Sequence, residues 1–383
     1  MKTRRRTVAI AAGAALLFAM GPFVPWAKGV EQGRKNHSGR FPHAVKVEDF
    51  NGDGNPDIAI AASAESKLVV HFGDGQGGIA STLSFPVGRG PVWVEAGDLN
   101  GDGNLDLLTA NTGGGNLSMY FGDGRGGFRK GEPIGVKAAV SAGIGDFDGN
   151  GRMDLAVAQA VPGGVLVYRG MPDGKFDGPR MYRLHRGVHI LHAVDVNGDG
   201  NLDLVVSGLG QHAVYVLLGR GNGTFDSSRS FRPGRFPHYM AFHDFNGDGH
   251  KDIAVVCAGD DWVRLAWGNG EGGFRVGERL PVGVNPHDIA SGDFNEDGKA
   301  DLAVGNRTSQ DITVFLGGEN GKFRLAESIK VPDDVIVLEA ADLDKDGKVD
   351  LVAVFASLNR VNIYRGDGAG GFSPVYRVKK AKR

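Results

Sequence analysis

The sequence predicts an all-β fold, a seven-bladed β-propeller of four-stranded blades, and three observations predict it. The string Asp49-Phe50-Asn51-Gly52-Asp53-Gly54-Asn55-Pro56-Asp57 recurs, with leading aspartates at Asp49, Asp98, Asp146, Asp195, Asp244, Asp293 and Asp342. A Gly-rich turn recurs at the same period, its segments ending at Ile79, Phe128, Phe176, Phe225, Phe274, Phe323 and Phe372. The intervals are 49 residues except for one of 48, and between the two marks lie only short apolar runs. Composition agrees: 63 glycines among 383 residues without a G-X-Y period exclude collagen, and 41% hydrophobic residues exclude wholesale disorder. A chain of this length implies two or three domains unless small repeats build one large one, and here they do.

Residues 1–27 read as a signal peptide or N-terminal anchor. Lys2, Arg4, Arg5 and Arg6 precede an uncharged apolar run from Thr7 to Val24, the charged and apolar regions of an export signal. The run sits at the lower edge of what spans a bilayer, and the one thiol, Cys257, can form no internal disulfide. The expected location is therefore periplasmic, secreted or cell-surface. A linker follows at 28–40, the propeller occupies 41–379, and 380–383 form a basic tail.

Within each unit the elements follow one order. A strand feeds the aspartate string. A run such as Asp57-Ile58-Ala59-Ile60-Ala61 or Asp203-Leu204-Val205-Val206 comes next, too short for a helix and suited to a strand. After a polar turn, an alternating run such as Lys67-Leu68-Val69-Val70-His71-Phe72 makes another strand. The Gly-rich turn bends the chain into the last one, as in Phe274 to Leu280. One such sheet cannot bury both faces, whereas seven stacked radially cover one another and leave only short edges. No strand exchanged between the termini is evident, so side-chain packing is expected to close the ring.

The aspartate string has the chemistry of a calcium loop. Hard Ca²⁺ takes six to eight oxygens, which alternate short side chains supply as the backbone curls around the ion. Positions 1, 3, 5 and 9 serve this in each copy, with the carbonyl at position 7. In the first copy these are Asp49, Asn51, Asp53, Asn55 and Asp57, and in the second Asp98, Asn100, Asp102, Asn104 and Asp106. Then come Asp146, Asp148, Asn150, Arg152 and Asp154, and Asp195, Asn197, Asp199, Asn201 and Asp203. The fifth set is Asp244, Asn246, Asp248, His250 and Asp252. The last two are Asp293, Asn295, Asp297, Lys299 and Asp301, and Asp342, Asp344, Asp346, Lys348 and Asp350. The twelfth position, Ile60 in the first copy, lies in a strand, so this is not an EF-hand, which needs a glutamate there. One such string would be an ordinary Asx turn. Seven in phase point to as many as seven bound Ca²⁺ ions, acting as structural staples.

These two marks resemble the FG-GAP or VCBS repeat proteins, whose propeller also forms the head of integrin α chains; the resemblance covers about Phe41 to Val378. It implies that the aspartate loop joins the first two strands of a blade and holds Ca²⁺ on the lower face, while partners bind the upper face or its rim. Seven loops of seven is more similar to exported bacterial members than to integrin chains, which keep the loop in only some blades.

Charge and the upper face supply the remaining expectations. Seven Ca²⁺ ions would add fourteen charges to a net of −2, and removal of the four leading bases would leave about +8. That favours acidic partners such as uronic-acid glycans or anionic surfaces, and nucleic acid is not expected. Six residues before each loop stand His43, Val92, Val140, His189, His238, His287 and Ile336. The four histidines are expected around the channel mouth, with His192, Glu95 and Glu339 further along the same strands. They suit a transition metal or an anionic ligand. Arg307 and Trp262 are expected in upper-face turns, as are Asn111, His212, Asp260, Asp261 and Arg360, and Trp262 and Trp93 are candidates for stacking on sugars. No G-x-S-x-G, H-E-x-x-H or Walker loop occurs. The resulting expectation is a monomeric binding or adhesion module for a glycan or protein, not an enzyme, with a polysaccharide lyase acting on an acidic glycan as the alternative.

Overall fold

The computed structural model describes residues 41–375. The segments 1–27 and 28–40, and the tail 380–383, lie outside the described residues, as do 376–379.

Seven four-stranded antiparallel paths follow one another, each made from one contiguous stretch of chain. Blade 1 consists of Pro42–Glu48, Asp57–Ala62, Lys67–Gly73 and Ile79–Pro86, each strand paired to the next. Blade 2 adds a short extra pairing of Ile134–Gly135 to its third strand. The strands are therefore those the two repeated marks predict.

Burial follows strand position. Second strands such as DIAIAA and DIAVVC are buried along their whole length, while the fourth strand IASTLSFP is largely exposed. A strand covered by sheets on both faces reads as a continuous apolar run, not as alternation, which is why the second strands lack a period of two. First strands of successive blades pack side by side around the axis, and that of blade 7 meets that of blade 1. Val45, Ile58, Ile60 and Val69 of blade 1 share one apolar cluster with Ile336, Val337, Val352, Val354 and Ile363 of blade 7. Side-chain packing closes the ring, joined by a bond from the Phe41 N–H to Asn359 Oδ1 at 2.8 Å.

The Gly of each Phe-Gly mark has a geometric cause. A Cβ on Gly219 would stand 2.2 Å from the Leu202 carbonyl oxygen, and Gly73, Gly122, Gly170, Gly268, Gly317 and Gly366 face the corresponding carbonyl at 2.2 or 2.3 Å. At or beside the end of the third strand, the backbone there must touch the aspartate loop. Overpacking of this kind costs about 2 kcal/mol. We therefore expect Gly219→Ala to lower the denaturant midpoint by that amount with m unchanged. Gly135→Ala, where a Cβ meets nothing within 4 Å, should fall within about 0.5 kcal/mol of wild type.

Candidate functional site

The seven aspartate loops are built alike. In each, the position-1 carboxylate accepts the position-6 N–H, from Gly54 to Asp49 at 2.7 Å through to Gly347 to Asp342 at 3.0 Å. The position-6 glycine takes φ between +80° and +87°, a left-handed turn that glycine adopts at little cost. The position-9 aspartate joins two strand ends. Asp57 Oδ2 accepts the Phe50 N–H at 2.9 Å and its Oδ1 accepts the Gly73 N–H at 2.8 Å. Asp106, Asp154, Asp203, Asp252, Asp301 and Asp350 repeat both bonds.

All seven position-9 aspartates are buried. Burial pushes Asp57, Asp106, Asp203, Asp252 and Asp350 up to about 6, with other acids of the same loop adding to the rise: positions 1 and 5 for the first three, position 5 for Asp252, and positions 3 and 5 for Asp350. Asp154 and Asp301 shift the same way from the same cause. Each is a carboxylate enclosed beside two or more others, an arrangement that a cation relieves. Each oxygen retains a lone pair after its backbone bond, so the all-oxygen donor set fits a hard cation. Carboxylate oxygens of Asp146, Asp148 and Asp154 lie within 4.8 Å of one another, as do those of Asp342, Asp344 and Asp350. The other five loops place Asn51, Asn100, Asn197, Asn246 or Asn295 at position 3 and offer an amide oxygen there.

At the opposite end of the first strands the structure gathers the histidines. In every blade a register shift spans the sixth residue before the loop, for example between Pro286 and Asp288 around His287. Such bulges release a residue from the ladder and re-aim its side chain. The His189 and His238 ring centroids are 4.5 Å apart, and those of His238 and His287 are 4.2 Å apart. His238 Nδ1 lies 3.0 Å from the His287 carbonyl oxygen, and His287 Nδ1 lies 2.7 Å from that of Ile336. Each bond spans one repeat.

Bonds from the turns between second and third strands to the residues before the first strands, such as Arg307 N to Asn285 O at 3.0 Å, place those turns on the same face. Arg307 is bonded to Asp334 at 3.3 Å, and its buried Nε has no partner. His189 Nδ1 is likewise buried and unpartnered.

Enclosure by the channel walls pushes His189 and His192 down to about 4, with charge from His43 and Lys46 respectively adding to the effect. It holds His238 and His287 well below the usual histidine range, aided by other histidines and Arg307. His43 shifts downward by burial and by Arg307, although it is the exposed member of the set.

Three features here were not read from the sequence. Trp93 and Tyr239 come from the same position of blades 2 and 5 and stack at 6.0 Å. Lys46 pairs with Glu95 at 3.1 Å, and burial lifts Glu339 to about 7. Asp288 is buried and accepts the Leu338 N–H of the next blade at 3.0 Å. The fixed period located each position but not its orientation across the axis.

Two upper-face expectations need correction. Trp93 is buried against Tyr239 and cannot serve as a surface platform for sugar. Asn111 is buried and bonded to Asn116 and Ser118, a turn brace rather than a contact residue. Trp262 is half-buried, with the Arg279 guanidinium 4.8 Å from its ring centroid and that of Arg264 at 5.5 Å.

The model of a family described as FG-GAP-like repeat matches in six overlapping copies, at 49–109, 99–157, 146–206, 195–255, 244–304 and 293–353. A search of curated proteins returns no match. Among solved structures, a Bacteroides uniformis protein provisionally described as a 6-phosphogluconolactonase is 13% identical, with 88% of this chain and 96% of that one covered and a TM-score of 0.64. A periplasmic gluconolactonase of Pseudomonas aeruginosa is 15% identical, with coverage of 87% and 94% and a TM-score of 0.58. An Agrocybe aegerita lectin that recognises non-reducing terminal N-acetylglucosamine is 20% identical, with coverage of 88% and 90% and a TM-score of 0.58.

The expectation that the chain is not an enzyme is thereby overturned. Propellers of this architecture are described as lactonases, so the lack of a linear catalytic motif excludes nothing.

The buried histidines carry a pH dependence of definite sign. Their folded-state values lie below the unfolded value of about 6.5, so their stabilising effect is complete above that pH and is lost as pH falls toward 4. His189 faces His43, His238 and His287, while His192 faces Lys46 and the Phe242 ring. Asp288 and Glu339, both raised by burial, act in the opposite direction, so comparison with variants is needed to isolate the imidazoles. His189→Gln and His192→Gln should each flatten the fall in unfolding free energy between pH 6.5 and 4.5, by about 2 kcal/mol after discounting partial exposure. Slopes equal to wild type would assign the acid lability elsewhere.

Proposed function

This chain belongs to the FG-GAP-like repeat family, and from that membership we propose that it is an exported, calcium-stapled binding module whose upper face recognises a glycan or protein. The observation that carries the reading is the aspartate loop itself. Seven buried carboxylates, each beside further acids, brace the junction of three strands in their blades. A bound Ca²⁺ would neutralise that charge, with positions 1, 3, 5 and 9 and the position-7 carbonyl as its ligands. Ions so placed would act on stability as disulfides do in other exported proteins. The basic, apolar beginning of the chain supports export.

The upper face supplies the recognition. Histidines re-aimed by bulges meet Arg307 there, and its unpartnered Nε is a donor awaiting an acceptor. With Nδ1 of His238 and His287 donating to carbonyl oxygens, their Nε2 atoms remain as acceptors. Donor and acceptors together suit the hydroxyl and carboxylate groups of an acidic glycan better than a bare cation, which Arg307 would repel. The excess of bases outside the loops acts in the same direction.

Excess chelator should lower the melting temperature sharply and increase protease cleavage, and restored Ca²⁺ should reverse both; an unchanged melt would remove the staple. A glycan array run with and without Ca²⁺ should show acidic glycans bound, and Arg307→Ala should weaken that binding at least tenfold while leaving the chelation response intact. An ultraviolet assay for unsaturated products, with a second for lactone hydrolysis, accompanies the hits. Turnover of either kind would replace recognition by catalysis as the role of this face.

A further inference from the structure

The seven loops differ in one coupled pair of positions. Where position 3 is Asn, the third-strand residue fifteen places after the position-9 aspartate is apolar: Phe72, Phe121, Leu218, Trp267 or Leu316. Where position 3 is Asp, in blades 3 and 7, that residue is Arg169 or Arg365. Arg169 Nε lies 2.7 Å from Asp148 Oδ2, and Arg365 is paired with Asp344. Both aspartate side chains are less than a tenth exposed.

The same place in the fold is a blade junction. In five blades the apolar residue is buried and caps a glycine turn of the following blade, as Leu218 does at Gly272 and Leu316 at Gly370. In the other two, the turn rests on the ion pair. A Cβ on Gly223 would stand 3.3 Å from Asp148 Cβ, and one on Gly77 would stand 3.5 Å from Asp344 Cβ. Gly77 belongs to blade 1, so one of the two pairs sits at the junction that closes the ring.

Charge separates the same two blades. Counting every charged side chain from position 1 to position 9 plus the third-strand residue, the loops of blades 3 and 7 carry −1 each, and the other five carry −3 or −2. Arg152 contributes in blade 3, and Lys348 and Lys345 in blade 7, although the Lys345 ammonium is directed at Gly54 of the blade 1 loop.

We propose that Arg169 and Arg365 are built-in counter-cations, so that the loops of blades 3 and 7 hold their conformation without metal and bind Ca²⁺ more weakly than the other five. This rests on the calcium reading above only for its second half. The guanidinium already occupies the position-3 carboxylate, so that group no longer attracts a divalent ion as a free aspartate would, and the guanidinium itself repels one; at roughly 5–6 Å even in water-like dielectric that repulsion costs about tenfold in affinity.

Hydrogen exchange of the full chain, followed by mass spectrometry across EGTA-buffered free Ca²⁺, reads each loop separately. In EGTA, 146–154 and 342–350 should exchange at least about tenfold more slowly than the other five loops, whose protection should appear on titration. The first two should show calcium midpoints about tenfold higher. Arg169→Leu and Arg365→Leu supply the residue that blades 4 and 6 already use, and should move their loops into the fast class in EGTA. The pairs Asp148→Asn with Arg169→Leu and Asp344→Asn with Arg365→Leu reproduce blades 4 and 6 at both positions and should do the same if the single variants misfold. Seven superimposable curves, or variants that leave protection in EGTA unchanged, would overturn the assignment. If no loop responds to Ca²⁺, the calcium reading fails, while the contrast in EGTA still decides whether the arginines act as counter-cations.

Discussion

Each blade depends on one carboxylate. The position-9 aspartate begins the second strand, and its two oxygens hold the N–H of the loop's second residue and the N–H of the glycine ending the third strand. That single group fixes where the first strand stops, how the loop curls and where the third strand arrives. The glycine is required because the third strand's backbone is drawn close enough that a Cβ would collide with the loop carbonyl. The two sequence marks, an aspartate string and a Phe-Gly turn, are thus the two ends of one hydrogen bond. Their shared period follows from that bond, which recurs at 2.6–2.9 Å in every blade.

Such an arrangement stores electrostatic cost. A buried carboxylate flanked by others raises its own proton affinity, and the five values near 6 express burial with further acids alongside. The inner ring solves its polar problem differently. Ser141 bonds to the His189 carbonyl and to the Leu191 N–H, His238 and His287 bond to carbonyls one repeat on, and Asp288 takes the Leu338 N–H. Adjacent first strands are offset around the axis and share no ladder, so side chains supply the cross-links between blades.

How much of this the sequence reveals depends on whether a feature is local. Strand order, blade number and the loop positions follow from residues within one repeat, and second strands such as DIAIAA announce burial on both faces. Counting back from each loop places the histidines at the mouth, because a regular repeat converts an offset into a height along the axis. Contacts across the axis were not legible. Trp93 and Tyr239 occupy one position in repeats three apart, and nothing in either segment says that the rings meet. Trp93 therefore reads as a surface aromatic until the ring is closed. The absence of a linear catalytic motif is uninformative for the same reason, since residues brought together on a propeller face share no segment.

Seven copies also act as an internal control on what folding requires. Where packing dictates the residue, the copies agree: position 9 is always Asp, and the residue sixteen places after it is always Gly. The residue before the first strand shows the contrary. Its backbone is left-handed at Phe41, Gly90, Ala138, Gly187, Phe236 and Asn285, a conformation that Gly and Asn accept and that costs a bulky residue roughly 1–2 kcal/mol. Phe236 bears that strain and is also 44% exposed, so neither backbone preference nor burial accounts for an aromatic there. The histidines beside it vary in the same way, present in four copies and replaced by Val or Ile in three. Identity across copies marks the lower loops as the part that makes the ring. Divergence on a fixed backbone marks the upper face as the part whose residues are set by something other than the ring.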